Sequence, residues 1–261
     1  MGINETELSE RGKDAFFSLV VQRFFDKADE DYVTARFLFL NRLYSQFPWV
    51  ACQALEKYLK AALLLRYEIA ERKHNLKSNF SKLNQCSGVS FPRMIEAPSG
   101  FNFLLEQQNP CGKSKRWNYR MQTSQFISKL EKMGSPSSRY NQTNISIEHY
   151  DIHRFDAVSK MVRDTALDGP HVRLNRSIEN LYSREEACQS LRFGRLKLTR
   201  EVSEMIFKEN YAYFPQSATS IDQIHFLYRD NNAVQNTFGA EDGDYISAEK
   251  LLDKLLRNSM N

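Results

Sequence analysis

The sequence predicts an all-α fold, and three observations carry that prediction. Apolar residues recur at helical spacing through the first third of the 261-residue chain. Pro48 divides that region where a second helix would begin. Helical periodicity returns twice later, at residues 121–133 and 151–167. Hydrophobic residues make up 41% of the chain, with 18 Phe, 12 Tyr and 2 Trp, enough to build a core and to exclude a wholly disordered chain.

The first helical stretch runs from about Glu10 to Gln46. Phe17, Val20, Val21, Phe24, Ala28, Tyr32, Ala35, Leu38 and Phe39 form its stripe, and Gly12 is its only glycine. One long helix or two abutting helices fit this pattern. Pro48 suits the first turn of the next helix, where its missing N–H costs nothing. That helix is expected to reach Glu71, burying Ala51, Ala54, Leu55, Tyr58, Ala62 and Leu65 and turning Gln53, Glu56, Lys57 and Lys60 outward. Glu56 and Lys60 are then an i,i+4 surface pair worth a few tenths of a kcal/mol.

Residues 84–120 contain Gly88, Pro92, Pro98, Gly100, Pro110 and Gly112, and read as a loop with short elements. Helices follow at Met121–Met133 and Asp151–Leu167, broken by Gly134-Ser135-Pro136 and closed by Gly169-Pro170. Ser177–Glu209 reads as largely helical, and Ser247–Arg257 as a last amphipathic helix with Ser247 at its N-cap. The expected organisation is therefore a helical domain over 14–168, a loop inserted at about 84–120, and an acidic, mainly helical extension over 169–261.

Charge is distributed unevenly. From Arg66 to Tyr140, thirteen basic residues face five acidic ones, a local +8 inside a chain whose total is only +4. From Glu201 to the end, ten acids outweigh five bases. Within the basic stretch, Lys113, Lys115, Arg116 and Arg120 alternate with Trp117 and Tyr119. Cations neutralise phosphate and rings stack on bases, so this segment is a candidate nucleotide or RNA surface. A solvated charge run is the plainer reading.

Other motifs dissolve under inspection. Cys111-Gly112-Lys113-Ser114 lacks the glycine a phosphate loop needs at position 107, which is Gln107. His149 and His153 lack further ligands for a metal, and the acidic runs at 230–232 and 241–244 lack the spacing of a calcium loop. No metal and no cofactor is expected. The longest apolar runs are too short for a membrane span. Asp14, Arg23 and Asp26 interrupt the N-terminal apolar stretch, so no signal peptide is read there. Four widely spaced cysteines (Cys52, Cys86, Cys111, Cys188) suggest a reduced, cytoplasmic location.

Ala28-Asp29-Glu30-Asp31-Tyr32-Val33-Thr34-Ala35-Arg36, together with Gln53-Ala54-Leu55-Glu56-Lys57-Tyr58-Leu59-Lys60-Ala61, resembles the paired helices of the HEPN family (higher eukaryotes and prokaryotes nucleotide-binding). His74-Asn75-Leu76 and Arg139-Tyr140 are similar to later steps of that pattern. The resemblance implies an antiparallel bundle of four or five helices, often dimeric, and so a homodimer here. It also implies a role in nucleotide or RNA binding, in RNA cleavage, or in partnership with a nucleotidyltransferase-type or antitoxin subunit of a toxin–antitoxin or defence system. Nucleolytic members carry Arg-x(4–6)-His, in which His moves the 2′-OH proton and Arg stabilises phosphorane charge.

Here Arg66 precedes His74 by eight positions and Arg163 precedes His171 by eight, one residue too many. One residue turns a helical side chain by about 100°. The expectation is therefore a non-catalytic nucleotide- or RNA-binding module. Lys57, Lys60, Lys113, Lys115, Arg116, Arg120 and Arg139 would meet phosphate, and Trp117 or Tyr119 would stack. Two alternatives stand beside it. One is a divergent metal-independent RNase using His74 and Arg139, the other a protein-interaction subunit. His74 capping the end of the second helix, and Lys57 and Lys60 merely solvated, are the structural counterparts.

Overall fold

The structure, a computed structural model, describes residues 8–71, 75–86, 88–96, 120–135, 147–148, 150–167, 210, 212 and 242–257. It begins with α1 (Glu10–Val20), capped by Ser9, whose side chain accepts from the Gly12 N–H at 3.0 Å. One π-helical turn, Val21–Phe25, leads directly into α2 (Asp26–Leu40). The expected first stretch is thus two helices joined through a wider turn.

α2 ends in a tight reversal. Arg42 adopts φ +61°, and the Leu43 N–H reaches back to the Leu38 carbonyl at 2.8 Å. That is the six-to-one bond of a helix stop that usually uses glycine. α3 (Phe47–Leu64) follows with Pro48 in its first turn, as the sequence predicts. It stops earlier than the expected Glu71. Tyr67 takes φ +54°, and the Glu68 N–H bonds the Leu63 carbonyl at 2.9 Å. Stacking of Tyr67 on Phe16, centroids 5.3 Å apart, holds that unfavourable backbone in place. Cap duty at this end falls to the Tyr67 turn, and His74 lies outside the described residues.

A further helix, α4 (Leu76–Gln85), occupies residues where no helix is expected. Asn75 caps it by accepting from the Ser78 N–H at 2.9 Å. Two short strands, β1 (Met94–Ile95) and β2 (Met121–Gln122), pair antiparallel with Ile95 opposite Met121. β2 runs straight into α5 (Thr123–Met133), and α6 (Asp151–Leu167) follows. The last helix, α7 (Asp242–Arg257), starts five residues before the expected Ser247. The helix expected over Ser177–Glu209 and the Lys113–Tyr119 run lie outside the described residues.

α3 is the axis of the bundle. α2, α4, α5, α6 and the π turn all pack against it. Being surrounded, it buries Glu56 and Lys60 as well as its apolar stripe, leaving Glu56 4% and Lys60 9% exposed. The Glu56–Lys60 pair (2.6 Å) is therefore an interior pair and not the surface pair expected. α7 lies against α1, burying Leu251, Leu252 and Leu255, with Arg23 of the π turn bonded to Glu249.

Candidate nucleic-acid interface

Charged groups in this bundle fall into an inward set and an outward set. The inward set joins α2 to α6. Asp29 of α2 accepts from Arg163 Nε at 3.0 Å and Nη2 at 3.3 Å, and from the Tyr58 hydroxyl of α3. Arg163 also lies over the Phe25 ring, 4.9 Å from its centroid. Two turns further along α2, Arg36 pairs with Asp156, which also accepts from the Tyr32 hydroxyl at 2.7 Å. Tyr32 in turn accepts from Asn210 at 2.9 Å.

Arg36, Asp156, Asp29 and Arg163 are all sealed from solvent. Burial pushes the Asp29 carboxyl up to about 6 despite Arg163 and Tyr58, and raises that of Asp156 as well. Ion pairs this deep fix how helices register; they offer nothing to a ligand in solution. Asp29, Tyr32 and Arg36 sit within the segment whose sequence carries the family resemblance, and their period of three to four residues is the signal that they share one face.

Among the expected phosphate contacts, three are described. Lys57 of α3 pairs with Asp31 of α2, and Lys60 pairs with Glu56. Arg120, just before β2, meets Glu96 after β1 at 2.8 Å, both well exposed. The structure does not bring these three together. Lys57 and Lys60 are on the central helix, whereas Arg120 is on the strand pair. Lys113, Lys115, Arg116, Trp117, Tyr119, His74 and Arg139 lie outside the described residues.

The outward set lies elsewhere. Lys77 at the start of α4 and Lys129 and Lys132 of α5 line an open groove of about 520 Å³ with Ser124, Gln125 and Ser128. No carboxylate is among those lining residues. Ser124, Ser128 and Lys132 follow one another at i,i+4,i+8, with Gln125 and Lys129 beside them. One face of α5 therefore supplies five of the six groups. The opposite face buries Phe126, Ile127 and Leu130. Lys129 is held by Asp151 at 2.8 Å and lies 3.7 Å from Glu148, and Arg154 shares both carboxylates. Lys77 and Lys132 remain exposed, and sequence reading singled out neither of them.

Residues 21–97 match the model of the HEPN domain, spanning the π turn through β1, so the helical hairpin read from the sequence carries that family's pattern. HEPN domains are all-α, and are in general nucleotide-binding or RNase-related. Comparison with curated proteins and with solved structures gives no match. No described helix is long and apolar enough to cross a membrane.

Proposed function

We propose that this chain is a non-catalytic nucleotide- or RNA-binding HEPN module, working beside other subunits in a prokaryotic toxin–antitoxin or defence system. The observation that carries the binding reading is the open groove of lysine, serine and glutamine between α4 and α5, with no carboxylate among its lining residues. Lysine ammonium groups meet phosphate as point charges, and hydroxyl and amide groups supply further donors. The basic run from Lys113 to Arg120 adds cations and two aromatic rings in the same half of the sequence. In this reading the module is cytoplasmic and homodimeric, and residues 14–168 form the binding domain. The extension over 169–261, acidic from Glu201 onward, serves a protein partner of nucleotidyltransferase or antitoxin type.

The test is binding of the full chain to single-stranded and structured RNA, and to mononucleotides, across about 50 to 200 mM salt. Contacts to several phosphates predict a steep loss of affinity over that range, because each contact releases counterions. Affinity that ignores salt would remove the phosphate reading. Cleavage of RNA in EDTA, abolished by His74→Ala, would replace it with the metal-independent RNase reading that uses His74 and Arg139.

A further inference from the structure

We infer that α7 is a releasable latch: it covers a helix-docking face on α1, which an amphipathic helix of a protein partner occupies once α7 lets go. This goes beyond the nucleotide-binding reading and does not rest on it. Both helices lie outside the HEPN match, which begins at residue 21.

The face follows from how α1 is covered. Residues 15 to 20 are all buried, and six successive residues point in every direction around a helix. α1 is therefore enclosed on all sides. Tyr67 covers one of them, its ring centroid 5.3 Å from that of Phe16 and 6.1 Å from that of Phe17. The π turn ties the end of α1 to α2. Those two anchorages belong to the bundle. α7 covers another side, and α1 is the helix it packs on. Departure of α7 therefore leaves α1 in place and opens an apolar side of it.

The hold on α7 is slight for a helix of 16 residues. Among its described side chains, Leu251, Leu252 and Leu255 are buried, all on little more than one turn, while Ser247, Glu249, Lys250 and Lys254 are exposed. Arg23 bonds Glu249 in an exposed pair that salt screens. Nor does the chain pin α7 there. Asn210 fixes the extension to the bundle through Tyr32, and 29 residues then separate Ala212 from Asp242. That length spans up to about 100 Å, so the interface and not the tether selects α1. Elements held by few apolar contacts are those that open locally while the core stays folded.

The chemistry of the partner is read from α7 itself. Its helix carries leucines at i, i+1 and i+4 as anchors for the groove, with an acid two positions before the first to meet Arg23. The tether keeps α7 at a high local concentration, so a free helix competes poorly until α7 is weakened.

The test uses a fluorescein-labelled peptide of residues 242–257 as the partner helix, followed by anisotropy. It is titrated with full-length wild type, Leu252→Asp, and Lys250→Gln, a control of equal charge change on the exposed side of α7. Leu252→Asp is expected to bind the peptide at least about tenfold more tightly than wild type or the control. Peptide carrying the same Leu252→Asp change should not bind. In hydrogen exchange, α1 should lose protection in Leu252→Asp and regain it with peptide, while α3 keeps its protection throughout. Should Leu252→Asp fail to fold, Arg23→Gln removes the exposed ion pair alone, and should speed exchange in α1 and α7 but not in α3.

Peptide that binds all three chains equally, or none of them, would overturn the latch. So would loss of protection in α1 and α3 together, because α7 would then belong to one cooperative core. A wild-type dimer that Leu252→Asp dissolves, read by light scattering, would also overturn it and would give the face to α7 of a second copy.

Discussion

Removing Asp156 should destabilise this protein far more than removing it together with its partner. Asp156 and Arg36 are both fully buried, and Asp156 also receives the Tyr32 hydroxyl at 2.7 Å. In Asp156→Ala, the Arg36 guanidinium keeps its charge in the interior with no carboxylate to face. Breaking a buried pair from one side costs about 3–5 kcal/mol. At roughly 2–4 °C per kcal/mol for a chain of this size, Tm should fall by roughly 6–20 °C. In Arg36→Met/Asp156→Leu both charges leave and apolar volume replaces them, so desolvation is relieved on each side. The Tyr32 hydroxyl loses its contacts with Asp156 and Arg36 but keeps its bond from Asn210. The double variant should lie within about 2 kcal/mol of wild type. Urea denaturation of the two single variants and the double gives the coupling directly. A single variant costing under about 1 kcal/mol would refute the reasoning. So would a double variant as unstable as the sum of the singles.

Three further outcomes follow from the packing. A methyl group on Gly134 would sit 2.5 Å from the Cys52 Cβ and 2.8 Å from the Pro48 carbonyl, so Gly134→Ala should lower stability by about 1–3 kcal/mol in chemical denaturation. Leu252→Ala removes a fully buried side chain where α7 meets α1 and should cost about 2–5 kcal/mol, with hydrogen exchange in α1 accelerating. Asp29 gives a pH signature: burial lifts its folded value to about 6, well above that of an ordinary aspartate, so the native state holds the proton more tightly. Its contribution is present below about pH 4 and is lost as pH rises to about 6, by about 3 kcal/mol at most. Urea midpoints from pH 4 to 7 should show that decline, and Asp29→Asn should flatten it.

The parts of the fold that could be read from sequence are those where hydrophobic spacing and proline speak directly. Pro48 marked the start of α3, and the apolar stripe marked its core face. Helix ends were less legible, because Arg42 and Tyr67 occupy backbone positions that normally announce themselves as glycine. The burial of Glu56 and Lys60 was hidden too, since an i,i+4 ion pair has the same spacing on a wet face as on a dry one. Only the number of helices packed around α3 decides between them, and that is a tertiary fact. α4 did leave a trace. Leu76, Phe80 and Leu83 recur at helical spacing after the capping Asn75, but Lys, Ser and Asn between them dilute it. For the groove, Ser124, Ser128 and Lys132 were legible as one face of α5, whereas Lys77, nearly fifty residues earlier, joins them only through packing.

The pairing of Ile95 with Met121 has a consequence for how the chain can vary. It sets Ile95 and Met121, 26 positions apart in sequence, side by side, and Glu96 and Arg120 next to them add an exposed ion pair. The spacing of the two ends of the intervening segment is therefore fixed by the strand pair. Closure entropy grows only as the logarithm of loop length, so a longer segment between those ends adds little to the cost of closing it. The strand pair acts as a clasp.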